Sequence, residues 1–298
     1  MAKYLGIDID YSRDNLIPEQ GLVMLTKKGF YKREWENSPQ ESFARAATCY
    51  CFGDYELAQR IYDYVSKGWF TFASPVLSNA IDIEWPVGLP FDLASDWLED
   101  NKSDEVDGMP ISCFLNAVQD TKESLVQTRT ETNWLSMMGG GVGTYFANRS
   151  PDEKSTGVMA HLGGYDADTV SYRQTATRRG SLASYLDIDH PEIMAFIDMR
   201  NPMGGSVESK NFNLNNGVNI TDEFMVKMIK GESFELVDPK HGGTNRHLDA
   251  REVWHKLMDL RFETGEPYLN FIDTVNRGIP DWIRNPLYKV SQSNLCTC

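Results

Sequence analysis

Five cysteines carry the most reactive side chains of this 298-residue chain: Cys49, Cys51, Cys113, Cys296 and Cys298. An odd and sparse set of cysteines is a poor disulfide framework. The two Cys-x-Cys pairs also lack the further His or Cys ligands that a zinc site needs, so we predict no metal site. Because free cysteine is among the most buried residue types, packing in a core is the expected role of Cys49 and Cys51.

The contexts of Cys113 and Cys296 are different. Cys113 lies in the apolar run PISCFL, which is more typical of a core residue than of a catalytic one. Cys296 lies in the polar ending SQSNLCTC, where a thiol can be accessible. An accessible thiol can act as a nucleophile, a redox group or a radical carrier, or it can be incidental.

Two further stretches could contact a ligand. GGGVG, residues 139–143, follows a predicted helix, whereas a dinucleotide-type phosphate loop follows a strand and opens a helix. Its glycines indicate either a close backbone approach to a ligand or a tight crossing of a helix and a strand. RQTATRRGS, residues 173–181, places two adjacent arginines in a polar stretch, which fits either an anion-binding loop or a solvated one.

The elements that must position these residues change type along the chain. Residues up to about 70 read as helical, and Ser38, Pro39 and Glu41 form a capping-box pattern at one helix start. TFASPVLSNA reads as a loop or strand end. From residue 110 strand-like runs alternate with helical ones, and helices are predicted after Thr221 and Asp249. This alternation predicts an α/β architecture with parallel pairing. The strand-like runs are ISCFLNAV, LASYLDI, NNGVNIT and PYLNFID.

The composition limits the classes of partner. Hydrophobic residues make up 41% of the chain and charged residues 24%, which fits a globular protein. The net charge of -14 argues against binding to nucleic acid or to an anionic membrane, although single nucleotides stay possible ligands. No apolar run reaches the roughly 18 residues of a membrane span. The first residues, MAKYLGIDIDYSRDN, contain no hydrophobic signal core, so we predict a cytoplasmic location.

Four stretches, in this order and spacing, resemble the catalytic large subunit of class I ribonucleotide reductase: NWLSMMGGGVG, YRQTATRRGSLASYLDIDHPEI, TGEPYLNFIDTVNR and SQSNLCT. The resemblance runs from about residue 10 to residue 297 and is strongest to phage-encoded forms, which would place the protein in the host cytoplasm. It implies a helical domain, residues 1–75, and then the first half of a ten-stranded α/β barrel, residues 76–298. It also implies radical-based reduction of ribonucleoside diphosphates to deoxyribonucleotides.

The resemblance assigns roles around the substrate. Cys296 matches the cysteine whose thiyl radical abstracts the 3′ hydrogen of the ribose, and Asn294 matches an asparagine that binds the substrate. Cys113 matches one member of the cysteine pair that supplies the reducing equivalents and becomes a disulfide. The other substrate-side matches are Ser74, Ser112 and Gly141.

The resemblance also implies a deoxynucleotide effector site at a dimer interface. Asp120, seven residues after Cys113, matches the aspartate that recognises the effector base. Arg149 and Lys154 match the first effector loop. Gln174 and Arg179 match the second loop, which links the effector to the substrate base. An effector that favours one arrangement of such a loop can change substrate choice without touching the substrate.

The implied partners follow from the same resemblance. No cofactor is expected in this chain, because a metal-containing small subunit supplies the radical, and a thioredoxin- or glutaredoxin-type protein supplies the reductant. Deoxynucleotides and ATP are the expected effectors, and the complete subunit is expected to be a homodimer that includes the C-terminal half. One alternative function is a nucleotide-binding regulatory module without catalysis. The other is a half-protein that works only after it joins its other half.

The last residue departs from the family pattern. The residue after Thr297 is Cys298, where the family has Glu, and the family continues for several hundred residues. Inteins often begin with Cys, so we hypothesise an intein junction, as against a gene break or a sequence error. On this hypothesis splicing restores the glutamate, and the chain alone is predicted to lack reductase activity.

Overall fold

The computed structural model describes residues 2–26, 31–101, 110–172, 180–204, 209–285 and 288–294. The chain forms two compact units, Met1–Ser112 and Cys113–Cys298. The first is mainly helical and the second is α/β, so the predicted fold class is confirmed. Residues 76–112 lie in the first contact unit, and the predicted domain boundary after residue 75 stays a prediction.

The first unit begins with a pair of antiparallel strands that the sequence analysis did not predict, β1 (Ala2–Tyr4) and β2 (Ile7–Ile9). A 3-10 helix (Tyr11–Leu16) follows these strands. The remaining helices are α1 (Glu19–Thr26), α2 (Pro39–Cys49), α3 (Tyr55–Ser66), α4 (Ser74–Asn79) and α5 (Ala94–Asn101), with a second 3-10 turn at Phe91–Leu93. The prediction for TFASPVLSNA is therefore wrong, because Pro75 starts a short helix instead of ending one.

Helix α2 is buried along its whole length and forms the centre of this unit. Its predicted start is confirmed, since the Ser38 side chain accepts a hydrogen bond from Gln40 N–H. Arg45, on the same helix, is fully buried and pairs with fully buried Glu36 at 2.6 Å. Because removal of one partner would leave an unpaired buried charge, substitution of either residue alone would cost about 3–5 kcal/mol of stability. Cys49 and Cys51 are buried, as predicted.

The second unit contains a five-stranded parallel sheet with the strand order β3-β4-β5-β6-β9. The strands of the unit are β3 (Cys113–Val118), β4 (Gly141–Phe146), β5 (Ser181–Asp187), β6 (Asn215–Ile220), β7 (Ser233–Asp238), β8 (Gly242–Asp249) and β9 (Tyr268–Phe271). The helices are α6 (Lys122–Met137), α7 (Gly157–Ser171), α8 (Ile193–Asp198), α9 (Asp222–Lys230), α10 (Ala250–Thr264) and α11 (Ile272–Arg277). The predicted parallel pairing is thus confirmed.

The helix starts after Thr221 and Asp249 are also confirmed, and each of these side chains accepts backbone hydrogen bonds from the first turn. The strand ISCFLNAV is confirmed as β3, but its predicted burial is wrong, because β3 lies at the edge of the described sheet and several of its residues are exposed. The elements of this unit that were not predicted include β4, α7, α11 and the antiparallel hairpin β7–β8. Within the described part of the chain, no helix is long and apolar enough to cross a bilayer.

Candidate functional site

Three neighbouring strands of the sheet start in register. Cys113 pairs with Gly141, and Gly141 pairs with Ser181, so these residues lie side by side at the amino-terminal edge of β3, β4 and β5. Adjacent strands are about 4.8 Å apart, which brings two of the predicted substrate-side residues, Cys113 and Gly141, into direct proximity. Cys113 is exposed. Packing in a core, the more typical role of a cysteine in an apolar run, is therefore wrong for this residue.

Residues 288–294, which we call the strap, cross the open face of the sheet without forming a strand. Side-chain amides hold the start of the strap. The Asn276 side chain donates to Val290 O (2.9 Å) and accepts from Val290 N (2.9 Å). On strand β6, Asn219 Nδ2 donates to Ser291 O at 2.7 Å. The strap therefore begins near the end of β6 and runs towards the starts of β3 and β4.

The end of the strap is fixed at the edge that carries Cys113. Gln292 Nε2 donates to Asn116 O on β3 (2.8 Å). Asn294 Nδ2 bridges β3 and β4 by donating to Phe114 O (3.0 Å) and Gly141 O (2.9 Å). The backbone oxygen of Asn294 accepts from the Tyr185 hydroxyl at 3.3 Å. Asn294, Gly141 and Cys113, which were predicted separately, thus come together.

The glycine run after α6 is explained by close approach. A Cβ atom on Gly143 would lie 2.0 Å from Ser293 O of the strap, which no side chain can tolerate. A Cβ atom on Gly140 would lie 2.6 Å from the Phe114 ring, at the point where α6 turns into β4. The run is therefore a tight crossing of a helix and a strand, and it also admits the strap to the sheet.

A row of polar side chains lies beneath the strap on three strands in register. Asn219 Nδ2 donates to Asp187 Oδ1 and Asn270 Nδ2 donates to Asn219 Oδ1, both at 2.8 Å. The Tyr145 hydroxyl donates to Asp187 Oδ2 at 2.6 Å. Burial of the Tyr145 hydroxyl, with the neighbouring Asp187 carboxylate, raises the pKa of this tyrosine. The row keeps its polar groups satisfied in the interior of the sheet.

The predicted effector-side residues lie at the opposite edge of the sheet, after the carboxyl ends of β3 and β4. Arg149 Nη1 lies 3.1 Å from Asp120 Oδ2, and Arg149 Nε lies 2.9 Å from Asp152 Oδ2. The Arg149 side chain is largely buried, with an exposed fraction of 11%. A hydrogen bond from Lys154 N–H, together with Arg149, lowers the pKa of Asp152. Arg149 therefore holds Asp120 and Asp152 in one cluster, and Lys154 is exposed beside it.

The hairpin β7–β8 is fixed to this cluster by Asp238. This buried carboxylate accepts from Ser150 N–H (2.9 Å) and the Ser150 hydroxyl (2.6 Å), and also from Lys240 N–H and His241 N–H in the turn. Burial alone would raise the pKa of Asp238, but the four hydrogen bonds outweigh burial and lower the pKa to about 2. The link places Lys240 Nζ 3.6 Å from Asp120 Oδ2 and His241 Nε2 3.5 Å from Asp152 Oδ2.

Of the remaining predicted residues, three lie outside the described part of the chain and two lie in the first unit. Cys296, Gln174 and Arg179 lie outside the described residues. Ser74 and Ser112 belong to the first unit. Ser74 is the first residue of α4, and its hydroxyl lies 3.1 Å from the Tyr31 hydroxyl.

Several functional candidates were not predicted from the sequence, and all of them are polar residues of strands or of the turn between two strands. Asn219 and Asn270 lie in the strand-like runs NNGVNIT and PYLNFID, where a polar residue at an otherwise apolar strand position is a usable signal. Asp238 and Lys240 lie in a hairpin that was not predicted. In the described segments, no three His, Cys, Asp or Glu side chains are close enough together to hold a metal ion.

Comparison with known proteins matches both units to one family. A family model described as "Ribonucleotide reductase, barrel domain" matches residues 111–297, and "Ribonucleotide reductase, all-alpha domain" matches residues 17–82. The ribonucleoside-diphosphate reductase large subunit of Invertebrate iridescent virus 6 is 40% identical over 298 residues, which cover 97% of this chain and 28% of that protein. Its counterpart in Invertebrate iridescent virus 3 is 36% identical, with 98% of this chain and 51% of that protein covered.

A solved structure gives the same result. The alpha subunit of the Actinobacillus ureae class Id ribonucleotide reductase superposes with a TM-score of 0.70 at 25% identity, covering 97% of this chain and 46% of that one. The chain thus spans about a quarter to a half of the length of the relatives that it matches. The likeness to phage-encoded forms stays a prediction. The two family models, and the same order of helical unit and parallel sheet, show that this chain belongs to the family of ribonucleotide reductase large subunits.

Proposed function

We propose that the chain forms the amino-terminal part of a ribonucleoside-diphosphate reductase large subunit and contributes to its substrate and effector sites. The observation that carries this proposal is the meeting of Cys113, Gly141 and Asn294 at one edge of the sheet. These residues come from β3, from β4 and from a segment about 150 residues further along the chain. In the reaction that the resemblance implies, such a thiol supplies reducing equivalents and such an amide contacts the substrate.

In the proposed reaction, Cys296 carries the thiyl radical that takes the 3′ hydrogen of the ribose. The small subunit supplies that radical from its metal centre. Cys113 and a second cysteine outside this chain then give two electrons and two protons as they form a disulfide, and the 2′ hydroxyl leaves as water. Cys296 follows Asn294 by two residues, which reach at most about 7 Å. The fixed position of Asn294 therefore limits where the radical cysteine can be.

The hydrogen bonds of Asn294 determine which atom of its amide can contact a substrate in this proposal. Both of its N–H groups donate to backbone oxygens of the sheet, namely Phe114 O and Gly141 O. A contact with a ribose hydroxyl must therefore be made by Oδ1 as the acceptor. The role of Ser74 and Ser112 as phosphate- or ribose-side contacts is part of the same proposal.

A nucleotide-binding regulatory role is the second candidate, and the cluster at the opposite sheet edge favours it. Asp120 offers acceptor oxygens to the N–H groups of a base, and Arg149 and Lys154 supply positive charge in an acidic protein. Gln174 and Arg179 would connect this site to the substrate base. Saturable binding of a labelled deoxynucleotide by the chain, without any reduction, would support this role alone.

The experiment uses a complete large subunit that carries residues 1–298 of this chain, a small subunit and a labelled ribonucleoside diphosphate. Wild-type protein should form the deoxy product. Cys113→Ser should still start the reaction, because hydrogen abstraction does not need this thiol, but should lose the radical and release free base. Cys296→Ser should leave both substrate and radical unchanged, because an O–H bond is much harder to break homolytically than an S–H bond.

Electron spin resonance follows the radical, and chromatography follows product and free base. Identical behaviour of the two serine variants would show that the assigned roles are wrong. Failure of the wild-type protein to form any deoxy product would refute the proposed activity itself.

A further inference from the structure

We propose that Lys240, at the tip of the β7–β8 hairpin, binds the phosphates of the deoxynucleotide effector and releases Asp120 to the effector base. This inference rests on the proposed function, and it adds to the effector site a residue from an element to which the reductase resemblance gave no role. It assigns Lys240 and Arg149 different tasks, although both contact the same carboxylate.

The position of Lys240 is built into the fold. Asp238 accepts hydrogen bonds from both Lys240 N–H and His241 N–H, so it fixes the backbone of the turn. The same carboxylate accepts from Ser150, the residue after Arg149, and so ties the turn to the first effector loop. Asp238 therefore sets the position from which the Lys240 side chain reaches Asp120.

Arg149 is the fixed cation of the cluster. It contacts Asp120 at 3.1 Å and Asp152 at 2.9 Å, and little of its side chain is exposed. To reach a ligand, it would have to leave two carboxylates at once. Arg149 therefore orients Asp120 and Asp152 and is not the group that moves.

Lys240 is the cation that can move. Its ammonium lies 3.6 Å from Asp120 and contacts no second carboxylate among the described ion pairs, and 48% of its side chain is exposed. Exposed pairs of this length are weak, so little is lost when Lys240 turns to another anion. His241, with 59% of its side chain exposed, lies next to it and offers a ring N–H as a second donor.

A nucleotide can give both Lys240 and Asp120 a new partner, because it carries phosphates as well as the N–H groups of a base. Its phosphates are strong acceptors for an ammonium group, and the N–H groups of its base are donors for a carboxylate. Binding would move Lys240 from Asp120 to a phosphate and Asp120 from Lys240 to the base. Each charged or polar group then keeps a partner, so no buried charge is left without one.

The test measures binding of a labelled deoxynucleoside triphosphate to the whole chain by equilibrium dialysis. Lys240→Gln should weaken binding by about tenfold, and Lys240→Arg should restore most of it, since the positive charge is kept. Arg246→Gln is the matched control, because Arg246 is an exposed cation on the same hairpin, and it should bind like wild type. Affinity should also fall less steeply with added salt for Lys240→Gln than for wild type.

The outcomes separate this inference from the function on which it rests. If the wild-type chain binds no deoxynucleotide, both the effector site and the role of Lys240 are refuted. If wild type binds and Lys240→Gln binds equally well, only the role of Lys240 is refuted. An equal loss in Lys240→Gln and Arg246→Gln would also refute it, because the effect would then be general electrostatics. Circular dichroism of each variant verifies that the fold is retained.

Discussion

Asp238 shows how one side chain can join two parts of the proposed effector site. Its carboxylate accepts four hydrogen bonds, two from Ser150 and two from the hairpin turn. These bonds stabilise the ionised form, so the folded pKa of about 2 lies below the ordinary aspartate pKa of 3.8. The stabilisation is therefore fully present above about pH 4 and is lost as the pH falls towards 2.

We predict that Asp238→Asn lowers the free energy of unfolding by about 2 kcal/mol at neutral pH, since the amide cannot accept on both of its terminal atoms. The difference from wild type should shrink as the pH is lowered from about 4 towards 2. Denaturant titrations across this range measure it. Asp281→Asn, at a carboxylate with 92% of its side chain exposed, should show no such pH-dependent difference. A constant difference at every pH would contradict the prediction.

The residues that could be predicted from the sequence are those whose role depends on near neighbours in the chain. Ser38, Thr221 and Asp249 cap helices that start one residue later, so the pattern is local. Asp238 and Ser150 are 88 residues apart, and no local pattern indicates their contact. Cys113 is an intermediate case. Its strand could be predicted from the local sequence, but its position beside Gly141 depends on how the strands pair.

The strap and strand β4 meet at a position that requires glycine. We predict that Gly143→Ala destabilises the protein by about 1–3 kcal/mol, because the added methyl group would lie 2.0 Å from Ser293 O, and backbone must move. Urea unfolding measures the change in the free energy of unfolding.

Gly163→Ala is the matched control for this substitution. Gly163 lies inside α7, and the nearest atom to an added Cβ is Asn211 Oδ1 at 3.9 Å, so the methyl group has room. Because alanine favours a helix, this variant should gain about 0.5–1 kcal/mol. Equal stability of the two variants would show that the strap does not press on β4.

The elements that were missed have physical reasons in common. Helix α7 contains three glycines, at 157, 163 and 164, which weaken the helical signal, and packing against the sheet overrides their low propensity. The strand GGTNRHLD in the hairpin is polar and has exposed residues, so it lacks the apolar alternation of a half-buried strand. The strap has no regular structure, and its path depends on the side chains of Asn276, Asn219 and Tyr185 and on backbone oxygens of β3 and β4.

At the scale of the whole molecule, α6 presents an exposed apolar stripe that includes Val126, Trp134 and Met137. The helix starts two residues after Asp120, so the stripe adjoins the proposed effector site. Large exposed apolar groups in one row are typical of an interaction surface. We therefore propose that this face of α6 forms the homodimer contact and brings two effector sites together.

We predict that Trp134→Asp abolishes dimer formation, because 63% of the tryptophan is exposed and an unpaired carboxylate would be buried at the contact. Analytical ultracentrifugation of the chain compares wild type and variant. Phe262→Asp, on α10 with 93% of the phenylalanine exposed, is the control and should not change the sedimentation of wild type. A wild-type chain that is monomeric at all concentrations would refute this use of the stripe.

The way the strap is attached has a consequence for the timing of its motions. Strands β3 to β6 and β9 share backbone ladders, so their amide protons exchange with solvent only when the sheet opens as a unit. The strap is held by separate side-chain contacts, such as Asn276 with Val290 and Asn219 with Ser291. It can therefore detach while the sheet stays folded, so the two parts of the proposed substrate site belong to different cooperative units. Cys113 is carried by the rigid unit, and Asn294 by one that opens at a smaller free-energy cost.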